Sequence, residues 1–227
     1  MTFGPDTALI VVDFQNDFAH PDGSLFVDGS DAVIAAVNAH IVRALAAGST
    51  VVYTRDWHPE TTPHFQKDGG IWPVHCVAGT WGAAFHDRVL IAGPETYKGA
   101  NGEDGYSGFS MRDPISGAET STGLREVIGA VASVVVVGLA LDYCVKETAL
   151  DARKHGLGVL LPIDATAAVD LSVGDGDLAL AELETAGVAV DWPVSAVRRA
   201  TPPLWPGRRP REASERWCRS RWLRLRP

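Results

Sequence analysis

Residues 131–139 have the sequence VASVVVVGL, an apolar run rich in β-branched residues that is typical of a strand buried on both faces. Further runs of this kind lie at 7–13, 49–54, 157–163 and 187–190. Segments with the apolar spacing of helices lie between or beside them, at 31–47, 121–129, 144–155 and 177–186. Strands that alternate with helices predict an α/β fold, in which helices cover both faces of a mainly parallel central sheet to give three layers.

The chain has 227 residues, 46% of them hydrophobic, which suits one domain with one sizeable core. It contains no apolar run long enough to cross a membrane, and its N-terminus lacks the pattern of a secretory signal. The three cysteines, Cys76, Cys144 and Cys218, are too few and too scattered to predict a disulfide scaffold. We expect a cytoplasmic protein without a membrane partner, either a monomer or a homo-oligomer.

The net charge of −8 is divided unevenly along the chain. Residues 198–227 contain ten Arg and two Glu, so this segment carries +8 and the remainder carries −16. Because an acidic body repels phosphate, nucleic acid is disfavoured as a partner. We expect one folded domain over 1–197 and a flexible Arg- and Pro-rich extension over 198–227. An alternative is that the extension binds an anionic surface or the acidic body.

Reactive side chains are expected at the carboxyl ends of the strands, where parallel sheets form their ligand crevices. Cys144 follows the central strand and opens a predicted helix, whose N-terminus favours a thiolate and can hold an oxyanion. Asp13 ends the first strand and is the candidate base, and Lys98 could place a positive charge between the two. The alternative is that Cys144 is a small buried hydrophobic residue, as most free cysteines are, and that Asp13 and Lys98 are ordinary surface residues.

A second cluster of candidate residues follows the strand at 49–54. Four ligand-capable side chains have the spacing Asp-x-His-x5-His-x10-His, at Asp56, His58, His64 and His75. Imidazole together with carboxylate suits Zn²⁺, Fe²⁺ or Mn²⁺. The alternative is a set of surface histidines with a structural Asp. Residues 56–118 around them are rich in Gly, Pro, His and Trp and are expected to be a long, irregular and functional segment.

Three segments together resemble the isochorismatase-like cysteine hydrolase superfamily, namely VDFQNDF at 12–18, YKG at 97–99 and GLALDYCV at 138–145. The resemblance spans roughly 7–190. It implies a triad in which Asp13 is the base, Lys98 stabilises charge and Cys144 is the nucleophile. It also implies a cis bond between Leu139 and Ala140, with an oxyanion hole formed by the N–H groups of Ala140 and Cys144.

The Asp-x-His pattern and its two further histidines resemble the nicotinamidase branch of that superfamily. This implies one divalent metal ion (Zn, Fe or Mn) on Asp56, His58, His64 and His75, with positions left for water and a substrate ring nitrogen. Phe18 and Trp72 match aromatic pocket residues of that branch, and Tyr106 matches a segment of pocket wall. Without the resemblance, ordinary core packing would be the default interpretation of all three.

The activity that this resemblance implies is hydrolysis of nicotinamide to nicotinate and ammonia in NAD salvage, with pyrazinamide as a second small-molecule substrate. One alternative is another amidohydrolase of the superfamily that acts on a different small amide or ureide. Another is a non-catalytic metal-binding protein on the same fold. Two features depart from the family pattern: Leu141 occupies a position where a small polar residue is expected, and the Arg-rich extension has no counterpart.

Overall fold

The structure, a computed structural model of the chain, describes residues 2–192. The predicted extension at 198–227 lies outside the described residues, as do residues 193–197 of the predicted domain. The strands between residues 2 and 192, in chain order, are β1 (Thr7–Val12), β2 (Thr50–Asp56), β3 (Glu95–Lys98), β4 (Ser110–Arg112), β5 (Glu119–Ser121), β6 (Ser133–Leu139), β7 (Gly158–Pro162), β8 (Thr166–Ala167) and β9 (Ala189–Asp191).

The helices are interspersed with these strands. They are α1 (Asn16–Ala19), α2 (Ser30–Ala46), α3 (Leu124–Ile128), α4 (Lys146–Lys154) and α5 (Asp175–Thr185). A π-helical turn at Leu141–Val145 leads directly into α4, and short 3₁₀ turns lie at Gln66–Asp68 and Ile163–Ala165. None of the helices described between residues 2 and 192 has the length and apolar character needed to cross a bilayer.

Seven strands form one parallel sheet in the order β3-β2-β1-β6-β7-β9, with β8 beside the carboxyl end of β6. Strand β1, beside β6 in the middle of the sheet, is buried along its whole length, which explains why its residues from Ala8 to Val12 are all apolar. It pairs with β2 on one side and with β6 on the other. The prediction of a parallel α/β sheet is therefore confirmed.

Helices cover both faces of the sheet, as predicted. Leu9 and Val11 of β1 face the same cluster as the buried side of α2. The alternate residues of β1 face the opposite cluster, which contains buried residues of α3, α4 and α5. This division follows from the two-residue period of a strand, which sends successive side chains to opposite faces.

The structure differs from the sequence prediction mainly between residues 56 and 118. This segment was expected to be irregular, yet it contributes β3 to the sheet and β4 to a small antiparallel hairpin with β5. The predicted helix at 144–155 begins as an α-helix only at Lys146, because residues 141–145 form the π-helical turn. The predicted helix at 121–129 is shortened to α3, between Gly123 and Gly129, both of which have positive φ angles.

Candidate active site

The candidate residues lie together at the carboxyl edge of the sheet. Asp13 directly follows β1, Asp56 ends β2, Lys98 ends β3 and Cys144 lies beyond β6. Asp56 and Lys98 are register partners in the β2–β3 pair, so their side chains leave the sheet at the same level. A parallel sheet brings such strand ends to one edge, which is why residues far apart in sequence meet here.

Asp13 is held in a fixed orientation. Its backbone has a positive φ of 45°, a conformation that non-glycine residues rarely adopt and that tends to occur at functional sites. The Thr54 hydroxyl donates to Asp13 Oδ1 at 2.7 Å, and the backbone N–H of Asp13 donates to the Thr54 carbonyl at 3.2 Å. The second carboxylate oxygen, Oδ2, lies 2.8 Å from Lys98 Nζ. The carboxylate is thus fixed between a hydroxyl and an ammonium group.

Lys98 joins the three predicted triad residues to the histidine region. Its side chain is fully buried, and its Nζ donates to Asp56 Oδ1 as well as facing Asp13. The same nitrogen lies 3.5 Å from Cys144 Sγ. The carboxylates of Asp13 and Asp56 and the thiol of Cys144 lie within 4.8 Å of one another. One ammonium group therefore contacts two carboxylates and a thiol.

The charges of this cluster follow from burial and from the ion pairs. Burial opposes the charge of Lys98, but attraction to Asp13 and Asp56 raises the pKa of Lys98 well above its usual value. Burial raises the pKa of Asp13, partly offset by Lys98. Burial alone would also raise the pKa of Asp56, but Lys98 and the neighbouring imidazoles hold it well below its usual value. Lys98 is therefore an ammonium group that keeps Asp56 ionised.

The Cys144 thiol does not behave as its sequence position predicts. We expected a helix N-terminus to lower its pKa, but Cys144 lies within the π-helical turn, and burial raises its pKa well above the usual value. Lys98 lowers this pKa, whereas the carboxylates of Asp13 and Asp56 raise it further. The expected lowering of the Cys144 pKa was therefore wrong, because the thiol is buried and faces two carboxylates. A reaction at this sulfur would therefore have to begin with the loss of its proton.

The peptide bond between Leu139 and Ala140 is cis, as the family resemblance implied. Ala140 and Cys144 both line a cavity at this edge: Ala140 directly precedes the π-helical turn, and Cys144 lies within it. The structure therefore brings both predicted oxyanion-hole residues to the site.

The three predicted histidine ligands form a compact buried group. Ring nitrogens of His58, His64 and His75 lie within 4.8 Å of one another. Asp56 Oδ2 lies 3.7 Å from Nε2 of His58 and 3.7 Å from Nε2 of His75. Asp56 thus turns one oxygen to the histidines and the other to Lys98.

The hydrogen-bonding state of these histidines suits a metal ion. Both ring nitrogens of His58 are buried without a hydrogen-bond partner, which is costly unless something binds them. Gly99 makes room for this ring: its φ is +80°, and a Cβ at this position would lie 2.5 Å from His58 Nδ1. Burial lowers the pKa of His58, so that the ring is neutral and has a lone pair to offer. Three imidazoles and a carboxylate form a donor set that fits Zn²⁺, Fe²⁺ or Mn²⁺.

A mainly apolar cavity opens beside both clusters. The polar part of its lining comes from the two clusters and comprises Cys144, His64, His75 and Asp56. The rest of its lining is aromatic or aliphatic and comprises Phe18, Trp72, Tyr106, Tyr143, Leu25, Val27, Leu139, Ala140 and Val169. Small-molecule sites commonly have this composition, in which apolar walls surround a few polar groups.

The aromatic walls are fixed by contacts with one another. The indole N–H of Trp72 donates to the hydroxyl of Tyr106 at 3.0 Å. The ring of Tyr143 meets Trp72 and Tyr106 edge to face, at centroid distances of 5.2 Å and 5.3 Å. Phe18 lies 5.6 Å from His75 between ring centroids. All three predicted pocket residues therefore line one slot beside the thiol.

Two residues that support the site were missed by the sequence analysis. Tyr143 lines the slot, and its position next to Cys144 was the available signal. Gln15 is fully buried: its Nε2 donates to the Asp56 carbonyl at 2.7 Å, and its Oε1 accepts from the Asp56 N–H at 2.8 Å. Gln15 belongs to the motif at 12–18, but no local pattern shows that its amide pairs with the backbone of β2.

Comparison with known proteins gives concordant results. The family described as Isochorismatase domain matches residues 7–194. The chain is 40% identical to a nicotinamidase/pyrazinamidase of Mycobacterium tuberculosis over 186 residues, which cover 80% of this chain and 96% of that relative. It resembles the crystal structure of a Pyrococcus horikoshii pyrazinamidase in complex with zinc, with a TM-score of 0.72, 37% identity and coverage of 82% and 99% of the two chains. It also resembles PnC1 of L. infantum in complex with nicotinate, with a TM-score of 0.74, 36% identity and coverage of 84% and 95%.

Proposed function

Because the chain belongs to the Isochorismatase domain family, we propose that it is a metal-dependent nicotinamidase, which hydrolyses nicotinamide to nicotinate and ammonia and acts on pyrazinamide in the same way. The observation that carries this proposal is the shared cavity, because Cys144 and two of the clustered histidines open into one aromatic slot. Relatives named nicotinamidase and a relative with bound nicotinate support the same substrate class.

In the first half of the proposed reaction, Asp13 takes the proton of the Cys144 thiol as the sulfur attacks the carboxamide carbon. The raised pKa of the thiol makes this transfer necessary. The backbone N–H groups of Ala140 and Cys144 stabilise the oxyanion. The carbon–nitrogen bond then breaks, and the leaving group departs as ammonia with the proton that Asp13 returns. A thioester between Cys144 and the acyl group remains.

In the second half, Asp13 takes a proton from a water molecule, whose oxygen attacks the thioester carbon. The carbon–sulfur bond breaks and the proton on Asp13 returns to the Cys144 sulfur. The carboxylic acid then leaves as nicotinate after releasing its own proton to water. Lys98 keeps its charge throughout, because its contacts with Asp13 and Asp56 favour the ammonium form. Its role in this scheme is to stabilise the negative charge that moves between Asp13 and the sulfur.

We propose that Asp56, His58, His64 and His75 hold one divalent cation, as zinc, iron or manganese. A cation there would act as a Lewis acid toward the ring nitrogen of the substrate, orienting the ring and withdrawing electrons from the carboxamide. Support comes from the unpartnered nitrogens of His58 and from a relative crystallised with zinc. The walls formed by Phe18, Trp72 and Tyr106 would bind the two faces and the edge of the pyridine ring.

The remaining proposals concern the domain boundaries, the compartment and the pathway. We propose that residues 1–197 form the catalytic domain and that residues 198–227 are an extension to it. We also propose a reducing, cytoplasmic compartment and a role in NAD salvage. Cys76 and Cys144 are both free thiols, in agreement with such a compartment.

Ammonia release from a set of amides tests this function. Zinc-loaded protein is assayed with nicotinamide, with pyrazinamide, with benzamide as a control that lacks a ring nitrogen, and with a linear ureide. We expect turnover of the first two and a much smaller kcat/KM for benzamide. Hydrolysis of the ureide without hydrolysis of nicotinamide would identify another amidohydrolase of the family. Failure to hydrolyse any of the four would favour a non-catalytic metal-binding protein.

A further inference from the structure

The three clustered histidines differ in the hydrogen-bond partners of their ring nitrogens. His75 Nδ1 donates to the Pro73 carbonyl at 2.8 Å, within its own loop. His58 has no hydrogen-bond partner on either nitrogen. His64 Nδ1 lies 2.9 Å from Asp104 Oδ1. Among the described residues, His64 is therefore the one histidine of this group whose outer nitrogen meets a carboxylate.

Asp104 is held in place by its own backbone. Its N–H donates to the Arg112 carbonyl at 2.8 Å, and the Arg112 N–H donates back to the Asp104 carbonyl at 2.6 Å. This pair anchors residue 104 to β4, beyond the segment that carries the histidines. The next backbone N–H, that of Gly105, donates to Asp104 Oδ1 at 2.9 Å. The carboxylate thus approaches His64 from a separate and fixed element.

We propose that Asp104 is a positioning residue of the metal site, which fixes the tautomer and the orientation of His64. This inference rests on the proposed metal site. A proton on Nδ1, donated to Asp104, leaves Nε2 of His64 with its lone pair free for a cation. A carboxylate in this outer position also makes the imidazole a stronger donor, and losing such a partner typically weakens metal binding about 10–100-fold.

The side chain of Asp104 is 55% exposed, which makes the proposal easy to test. Its replacement opens no space in the core, but it removes the partner of His64 Nδ1, so the stability of each variant has to be measured beside its affinity. A matched control is Glu103, the preceding acid in the same loop. Its carboxylate accepts hydrogen bonds from the backbone and side chain of Asn101. Replacing Glu103 by Ala removes the same charge as replacing Asp104 by Ala.

The experiment measures Zn²⁺ affinity by competition with a chromogenic chelator, for full-length wild type and for Asp104→Ala, Asp104→Asn and Glu103→Ala. We expect about 10–100-fold weaker binding for Asp104→Ala. Asp104→Asn keeps an acceptor oxygen but loses the charge, so its zinc affinity should lie between those of Asp104→Ala and wild type. Glu103→Ala should match wild type. Excess zinc should restore kcat to Asp104→Ala, because the residue acts on metal binding and does not touch the substrate.

Two results would overturn the role of Asp104 alone: Asp104→Ala binding zinc as tightly as wild type, or Glu103→Ala losing as much affinity as Asp104→Ala. The second result would mean that any nearby negative charge has this effect. A wild-type protein that binds no zinc would instead contradict the metal site of the proposed function, and with it this inference. Thermal unfolding of each apoprotein separates a loss of affinity from a loss of fold.

Discussion

Lys98 Nζ lies 2.8 Å from Asp13 Oδ2, with the two side chains 1% and 0% exposed. The same nitrogen binds Asp56, which turns its other oxygen toward His58 and His75. A single buried cation therefore connects the candidate base with the candidate metal ligands. This arrangement makes the two halves of the site dependent on one another, which the following substitutions test.

Replacing Lys98 by Met should destabilise the protein and abolish its activity. The substitution leaves the buried carboxylates of Asp13 and Asp56 without their shared cation. Breaking a buried ion pair by removing one partner costs about 3–5 kcal/mol. Urea denaturation and ammonia release measure the two effects. The exposed Lys67, paired with Asp68, supplies the control Lys67→Met, which should change stability little. Equal stability of the two variants would show that the buried pairs do not hold the site together.

Replacing Gln15 by Leu should lower stability by about 1–3 kcal/mol, because the N–H and carbonyl of Asp56 lose their buried partners. The displaced Asp56 should also weaken zinc binding. Gln66→Leu is the control, since the Gln66 amide makes one exposed hydrogen bond to the Ile71 carbonyl. Urea denaturation and chelator competition report the two effects. Wild-type affinity in Gln15→Leu would mean that this amide does not position Asp56.

The large features of the fold were predictable from the sequence. The strands β1 and β6 consist almost entirely of apolar residues, which is typical of strands covered by helices on both faces of a sheet. The polar and reactive residues that follow the predicted strands also indicated that the site lies at the carboxyl edge of the sheet. Strand β3 was not predictable, because Glu95–Lys98 has only 4 residues and a largely polar sequence, as an edge strand can have. Nevertheless it carries Lys98 to the centre of the site.

The details of the site depend on contacts between distant segments, which the sequence does not encode locally. The outer partner of His64 comes from residue 104, across 40 positions of sequence, and its backbone is fixed by a strand that was not predicted. The pKa of Cys144 was predicted in the wrong direction for a similar reason. A helix terminus is visible in sequence, but burial and the proximity of two carboxylates are visible only in the folded chain.

Replacing His75 by Ala should remove the bound metal and raise KM for nicotinamide. The change deletes one of three clustered imidazoles and a wall of the cavity. His20 is a useful comparison, since it is partly exposed and lies outside the cluster. Metal content after dialysis should fall in His75→Ala and remain at the wild-type level in His20→Ala. Full occupancy in His75→Ala would remove this residue from the ligand set.

The reaction of Cys144 with iodoacetamide should show a midpoint at higher pH than a free thiol. Alkylation requires the thiolate, and the raised pKa keeps the sulfur protonated at neutral pH, so the rate should increase as pH rises through this raised value. Peptide mapping of metal-free protein at a series of pH values gives the profile, and Cys144→Ala gives the background from other cysteines. A midpoint below that of glutathione would contradict the described electrostatics.

The central claim is that the Cys144 sulfur forms and breaks the bonds of amide hydrolysis. Its most direct test is ammonia release from nicotinamide by wild type, Cys144→Ala and Cys144→Ser at equal zinc content and with matching unfolding curves. We predict that both variants release ammonia no faster than the metal-loaded buffer control. Ammonia release by Cys144→Ala at the wild-type rate would contradict the claim.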